Sequence, residues 1–67
     1  MNNASPMKVY RIAAGLSQVQ LAELVASYQG RISRIERGAR PSEEEVERIA
    51  ATLGVCPDDL FPEGSDR

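Results

Sequence analysis

The chain has 67 residues, 42% of them hydrophobic and 27% charged, and a formal net charge of −2. This composition is typical of one small globular domain, and a domain of this size buries only about 60% of the surface that its unfolded chain exposes. A large enclosed active site would therefore remove core that the domain needs for folding. Because the sequence has no histidine and one cysteine, Cys56, it predicts no disulfide, no metal site, no cofactor and no enzymatic activity.

Other features of the sequence favour a cytoplasmic protein. A single cysteine is not the disulfide framework that small secreted domains use. The longest wholly apolar runs have three or four residues, which is too short for a membrane span. Residues 1–6 contain neither a basic segment nor an apolar stretch of the kind found in signal peptides.

The net charge is unevenly distributed along the chain. Residues 1–40 contain six basic and two acidic side chains, a net charge of +4, whereas residues 41–67 contain two basic and eight acidic side chains, a net charge of −6. The total of −2 alone argues against a nucleic-acid partner, but the asymmetry is expected for a protein with one surface that faces an anion. The alternative is that acidic helix starts and a solvated tail fall in the same half by chance.

Helical spacing recurs along the chain, and no stretch alternates apolar and polar residues for long enough to predict a strand. Ser5 followed by Pro6 has the pattern of a helix start. Two capping boxes, in which a serine precedes a glutamine or glutamate by three residues, predict two further starts: Ser17 with Gln20, and Ser42 with Glu45. Ser27 or Tyr28 is the predicted cap of the helix between them. The predicted helix ends are at three glycines, Gly15, Gly38 and Gly54, and at Val25 or Ala26.

These signals predict an all-α fold, a compact bundle of five short helices. The first helix covers residues 6–14, the second begins at Gln18, the third ends at Gly38, the fourth lies between Ser42 and Gly54, and Cys56 and Pro57 open a last short turn. The predicted domain spans residues 6–61. We expect residues 1–5 and 62–67 to be flexible terminal segments.

The predicted third helix has one apolar and one basic face. Projection of residues 28–37 at 100° per residue places three apolar side chains together, Tyr28, Ile32 and Ile35. The opposite face and its margins carry Gln29, Gly30, Arg31, Ser33, Arg34 and Arg37. Arginine can bridge the two major-groove acceptors of guanine, and glutamine can pair with the acceptor and donor of adenine, so this face suits a helix in a DNA major groove. The alternative is a solvated face that keeps the domain soluble.

Phosphate groups favour amides at a helix start and positive charge. Gln18, at the start of the second helix, is therefore a candidate phosphate contact. Arg37 and Arg40 follow directly after the predicted base-contacting surface and are candidates because of their charge.

The sequence contains five short segments in order: GLSQ at 15–18, LAE at 21–23, ISRIERG at 32–38, AATLGV at 50–55 and DLF at 59–61. With this order and spacing, residues 7–61 closely resemble the helix-turn-helix domain of the Cro and phage-repressor family, also called the xenobiotic-response-element family. The resemblance implies a lambda-repressor-like domain of a bacterial or phage regulator, in which helices 2 and 3 form the helix-turn-helix and helix 3 enters the major groove. It implies double-stranded DNA as the partner, commonly an inverted-repeat operator bound by a two-fold homodimer, with no membrane partner and no small-molecule substrate.

The resemblance also implies residue roles. The early positions of helix 3 contact bases in this family, and here they are Gln29, Gly30, Arg31, Ser33 and Arg34. The family contacts phosphate at the Gln18 and Arg37 positions, and the full set of predicted phosphate contacts is Ser17, Gln18, Tyr28, Arg37, Arg40 and Arg11. For Arg11 the resemblance implies a structural role first, an ion pair with Glu36 that ties the first helix to the third.

Two residues at the start of helix 3 depart from the family pattern. Gly30 stands where the family usually has a polar contact residue, so we expect one base edge to have no side-chain contact. Tyr28 stands where a short capping residue is usual. We expect Tyr28 to pack inward, because it lies on the apolar side of the projection; the alternative is that its hydroxyl contacts a phosphate.

Four apolar residues stand where the family usually has polar or charged side chains: Val9, Ile12, Val19 and Leu24. They are candidates for an interface with a second subunit or another protein, the alternative being scattered exposed residues without a role. The leading hypothesis is a transcriptional regulator that occupies a DNA operator in the manner of a repressor. The alternative is an interaction module of the same fold, such as an antitoxin or adaptor, that acts through a protein partner.

Overall fold

The computed structural model describes residues 5–61, which form five α-helices. They are α1 (Pro6–Ala13), α2 (Gln18–Leu24), α3 (Gln29–Glu36), α4 (Glu43–Leu53) and α5 (Pro57–Leu60). No strand occurs among these described residues, and the predicted all-α bundle of five short helices is confirmed. The flexible segments predicted for the termini lie outside the described residues at 1–4 and 62–67, whereas Ser5 is described and caps α1.

Serine side chains cap three of the helices at the predicted positions. The Ser17 hydroxyl accepts the Gln20 backbone N–H at 3.0 Å, and the Gln20 side-chain oxygen accepts the Ser17 N–H at 2.8 Å. Ser42 and Glu45 form the same reciprocal pair at 3.1 and 2.8 Å. Ser5 accepts the N–H of Lys8 at 3.2 Å. Each bond satisfies a backbone donor that the first turn of a helix leaves without a partner.

α1, α2, α3 and α4 end in one kind of turn, in which a residue with positive φ follows the helix. Glycine fills this position three times, at Gly15, Gly38 and Gly54. After α2 the position is filled by Ala26 with φ +59°, the one non-glycine residue between 5 and 61 that has a positive φ. The Ser27 N–H closes this turn on the Ala22 carbonyl at 2.8 Å. A side chain is strained in the left-handed region, and nothing in the sequence indicates this conformation at Ala26.

One apolar core joins the helices. Its buried members are Met7, Leu21, Ala22, Val25, Ile32, Ile35, Ile49, Ala50 and Leu60. α2 and α3 pack against each other across the turn at Ala26, and α5 packs against α1 and α4. The core contacts fix one face of α3 through Ile32 and Ile35, as the helical projection predicts, and leave its opposite face at the surface.

We expect Ala26→Gly to stabilise the domain. Glycine removes a left-handed-conformation cost of about 1–2 kcal/mol, and its greater freedom in the unfolded chain offsets about 0.5–1 kcal/mol of that gain. Urea denaturation should therefore show an increase in unfolding free energy of about 0.5–1 kcal/mol. The matched control is Ala14→Gly, because Ala14 is also exposed and ends a helix but has φ −83°. That variant should lose stability, and equal effects of the two changes would contradict the strain at Ala26.

Candidate nucleic-acid interface

A buried ion pair joins α1 to the end of α3. Arg11 donates from Nε to Glu36 Oε2 at 2.6 Å and from Nη2 to Oε1 at 3.3 Å, and its Nη1 donates to the Leu16 carbonyl at 2.8 Å. The Arg11 side chain is 9% exposed and the Glu36 side chain 4%. This is the pair that the resemblance implies. The bonds to Glu36 and Leu16 use three of the five guanidinium donors of Arg11. The phosphate contact predicted for Arg11 stays a prediction.

Two glutamine side chains continue this ion pair to the start of α3. Gln18 donates from Nε2 to Glu36 Oε1 at 3.1 Å, and its own side-chain oxygen accepts from Gln29 Nε2 at 3.1 Å. Gln18 is half-buried, whereas Gln29 is exposed. A glutamine amide has two N–H donors and a carbonyl oxygen. Gln29 therefore keeps one donor and its acceptor for an outside partner, the pattern that matches the major-groove edge of adenine.

A second ion pair ties α3 to the start of α4. Arg31 donates from Nε to Glu45 Oε2 at 2.8 Å and from Nη2 to Oε1 at 2.7 Å, and it also reaches the Arg40 carbonyl at 3.3 Å. The Arg31 hydrogen bond, followed by the Ser42 N–H, lowers the pKa of Glu45 to about 2. The same hydrogen bond raises the pKa of Arg31. A base contact through Nε or Nη2 of Arg31 would compete with Glu45, and the sequence did not indicate this competition.

Three other arginines form an exposed basic surface, here called the arginine surface: Arg34 on α3, Arg37 at its C-cap and Arg40 in the following loop. None of them makes an ion pair within residues 5–61. Ser33, next to Arg34, is half-buried. The arginine surface thus offers positive charge without ion-pair partners in residues 5–61, and the exposed amide of Gln29 lies at the start of the same helix. Positive charge suits a phosphate backbone, and an amide suits base edges.

The Tyr28 side chain does not pack inward, so that expectation is wrong. It is 61% exposed, and Tyr28 is the N-cap residue of α3, although its side chain makes no capping hydrogen bond. Its backbone is extended, with φ −139° and ψ 160°, so the helical projection did not apply to this residue. The ring instead lies beside Gly30, where an added Cβ would be 3.2 Å from Tyr28 Cε2.

The other predicted residues lie at the surface of α1 and α2. Ser17 is exposed, and its hydroxyl is the cap acceptor of α2. The four apolar interface candidates are all exposed, two on α1 and two on α2: Val9, Ile12, Val19 and Leu24. Their role in an interface stays a prediction.

The sequence did not indicate two contacts at the site. Glu45 is the ion-pair partner of Arg31, and Gln18 is the hydrogen-bond partner of Gln29. The Glu45 signal was hidden because its capping-box role already explained the residue, and Arg31 lies 14 positions away with no periodic relation to it. The two glutamines were both singled out for DNA contact, yet nothing in their spacing indicates that they contact each other.

Neither a group of three side chains suited to hold a metal ion nor a helix long and apolar enough to cross a membrane is found among the described residues. A family model described as a helix-turn-helix domain matches residues 7–63 of the chain, which includes all but the first residue of α1 and the whole of the other four helices. No solved structure matches the chain significantly.

Removal of the Glu36 carboxylate should strongly destabilise the domain. Glu36→Ala leaves Arg11 buried without its partner, and breaking a buried pair in this way costs about 3–5 kcal/mol. The control is Glu44→Ala, which removes the exposed pair with Arg48 and should change the unfolding free energy by less than about 0.5 kcal/mol. Urea denaturation of both variants measures the difference. Similar losses in the two variants would contradict the structural role of the buried pair.

The Arg31–Glu45 pair should make stability depend on acid pH. The folded-state pKa of Glu45 is about 2, below its ordinary value of 4.5, so the unfolded chain binds the proton first. The contribution is present above pH 4.5 and is lost as the pH falls towards 2. The excess in unfolding free energy of the wild type over Glu45→Gln should therefore shrink across this range. Glu47→Gln, which alters an exposed glutamate of the same helix with no ion pair in residues 5–61, should show no such shrinkage.

Proposed function

Because the chain belongs to the helix-turn-helix domain family, we propose that it is a sequence-specific regulator of transcription that binds a double-stranded DNA operator. In this proposal α3 enters the major groove, and the protein acts in a bacterial or phage-infected cell by occupying the operator. The observation that carries the proposal is the arginine surface, whose three guanidiniums stand exposed and without ion-pair partners in residues 5–61.

Base recognition is assigned to Gln29 and Arg34. Within residues 5–61, one amide N–H and the carbonyl oxygen of Gln29 have no hydrogen-bond partner, and the bond to Gln18 fixes the orientation of the amide. This fits the adenine edge, while the exposed guanidinium of Arg34 fits the two acceptors of guanine. Ser33 lies half-buried on the same face and offers a hydroxyl to either. Gly30 has no side chain with which to contact a base. Arg31 is assigned to positioning the loop at Arg40, because it is paired with Glu45 and binds the Arg40 carbonyl.

Phosphate contact is assigned to four residues. Ser17 and Gln18 lie at the start of α2, and Arg37 and Arg40 lie at and after the end of α3. Gln18 donates one amide hydrogen to Glu36 and keeps the second for a phosphate oxygen. Arg31, which is paired with Glu45, also donates to the backbone carbonyl of Arg40 and so holds this part of the loop near α3. Contacts of this kind set the register of the helix on the duplex without carrying sequence information.

We further propose that two copies bind together. One copy offers few base contacts, and a two-fold dimer that reads inverted half-sites doubles them. The exposed apolar residues Val9, Ile12, Val19 and Leu24 are the candidate contact surface between copies. They also favour the second candidate function, an interaction module such as an antitoxin or adaptor that uses this surface for a protein partner.

A selection of bound duplexes from a random pool, followed by sequencing, tests the function directly. The regulator predicts one enriched motif, and two inverted half-sites about one DNA turn apart would support the dimer. A single asymmetric motif would contradict the dimer but not the regulator. Failure to enrich any motif would overturn the regulator and leave the interaction module as the better account.

Substitution of two arginines should separate base from phosphate contact. Arg34→Ala should weaken binding to the selected sequence by about 1–3 kcal/mol more than binding to random DNA. Arg37→Ala should weaken both alike and reduce the slope of log K against log salt by about 1 per copy. Fluorescence anisotropy at several salt concentrations measures both effects. Arg48→Ala, which removes an exposed arginine from α4, is the control and should keep affinity and slope.

A further inference from the structure

The first turn of α3 carries an aromatic ring over a position that has no side chain. Tyr28 is the N-cap residue, and Gly30 is the second residue of the helix. A Cβ added to Gly30 would lie 3.2 Å from Cε2 and 3.4 Å from Cδ2 of the tyrosine ring. The ring therefore occupies the space into which a side chain of residue 30 would project.

This ring lies outside the hydrophobic core. Tyr28 is 61% exposed, whereas Ile32, four residues later, is fully buried. The Tyr28 side chain makes no capping hydrogen bond, so helix capping does not account for its position. A large exposed aromatic side chain is the kind of residue that carries binding energy at interfaces.

We propose that the Tyr28 ring determines specificity by contacting the 5-methyl group of a thymine in each half-site. The inference rests on the proposed function, because it requires α3 to lie in a major groove. In that groove the thymine methyl is the apolar feature by which a base pair is recognised, and apolar side chains contact it. The ring thus supplies at the Gly30 position a contact that the glycine itself cannot make.

The ring is suited to this contact for two physical reasons. Its position over Gly30 places apolar carbon atoms on the outer face of the first helical turn. A tyrosine side chain also has only two torsion angles to fix, so ordering it on a methyl group costs little conformational entropy. The competing role, a hydrogen bond from the hydroxyl to a phosphate, uses only the oxygen atom and makes no use of the ring.

Replacement of thymine by deoxyuridine isolates the methyl group. Each thymine of the selected operator is replaced in turn, which removes one methyl and keeps every base-pairing atom. For the wild-type protein, one replacement per half-site should weaken binding about threefold to fivefold, the value of burying a single methyl group. The operators are compared by fluorescence anisotropy at one salt concentration.

Variants of Tyr28 then assign the effect to the ring. Tyr28→Phe keeps the ring and should keep both the affinity and the methyl effect. Tyr28→Ala should bind the thymine and deoxyuridine operators equally, and circular dichroism should show that it remains folded because the side chain is exposed. Arg37→Ala is the matched control for lost affinity, since it should bind both operators more weakly and still prefer thymine.

Each other result overturns the proposal in a recognisable way. Specific binding with no thymine that depends on its methyl, or with a methyl effect that survives Tyr28→Ala, removes the ring contact and leaves the proposed function intact. A loss of affinity in Tyr28→Phe that equals the loss in Tyr28→Ala identifies the hydroxyl as the contact. Failure to bind any duplex removes the proposed function and this inference together.

Discussion

The buried pair of Arg11 and Glu36 is the interaction on which the arrangement of α3 depends. Glu36 is the last residue of α3, and its carboxylate receives donors from α1 and from α2. The same guanidinium binds the Leu16 carbonyl in the loop between those helices. Three elements therefore meet at one carboxylate. A hydrophobic pair of similar volume can be as stable or more stable in such a position, but it would leave the Leu16 carbonyl and the Gln18 amide without these partners.

Gln18 connects the buried ion pair to the surface. Its amide nitrogen donates to Glu36, which orients the amide, and its amide oxygen accepts a hydrogen bond from Gln29. An exposed glutamine has several rotatable bonds, and ordering it on binding carries an entropic cost. Here the hydrogen bond to Gln18 orders the Gln29 amide before any partner arrives. A substitution at Glu36 would therefore affect both the folding of the domain and the geometry of its predicted contact with adenine.

The second ion pair divides the arginines into two kinds. Arg31 projects from the same helix as Arg34, yet Glu45 holds it in a paired geometry with the Arg40 carbonyl. It supports the loop that carries Arg40, whereas Arg34, Arg37 and Arg40 keep their guanidiniums exposed. A count of basic residues on the projected face of α3 therefore overstates the number of arginines without an ion-pair partner in residues 5–61. In the proposed function, the Glu45 carboxylate at the start of α4 would leave fewer arginines for contact with DNA.

The sequence predicted what local rules control. The serine caps and the turn glycines act over three or four residues, so their signals are complete within a short window, and the structure has them. The projection placed Ile32 and Ile35 correctly because both lie inside α3, but it failed at Tyr28, whose extended backbone precedes the helix. Two features could not be predicted in this way. The Arg31–Glu45 pair depends on how α3 packs against α4. The strain at Ala26 depends on its positive φ, which an alanine in the sequence does not indicate.

These arrangements also explain how a chain of net charge −2 can present a surface for a polyanion. Three carboxylates, on Glu36, Glu44 and Glu45, are neutralised by arginines within the fold, so their charges contribute little beyond a Debye length of about 10 Å. The arginine surface acts at contact distance, while the remaining acidic residues weaken long-range attraction. Non-specific affinity should then be low, because it depends on that attraction. In the proposed function, discrimination between sequences then depends on short-range contacts of α3, and a second copy would repeat those contacts and add affinity without adding net positive charge.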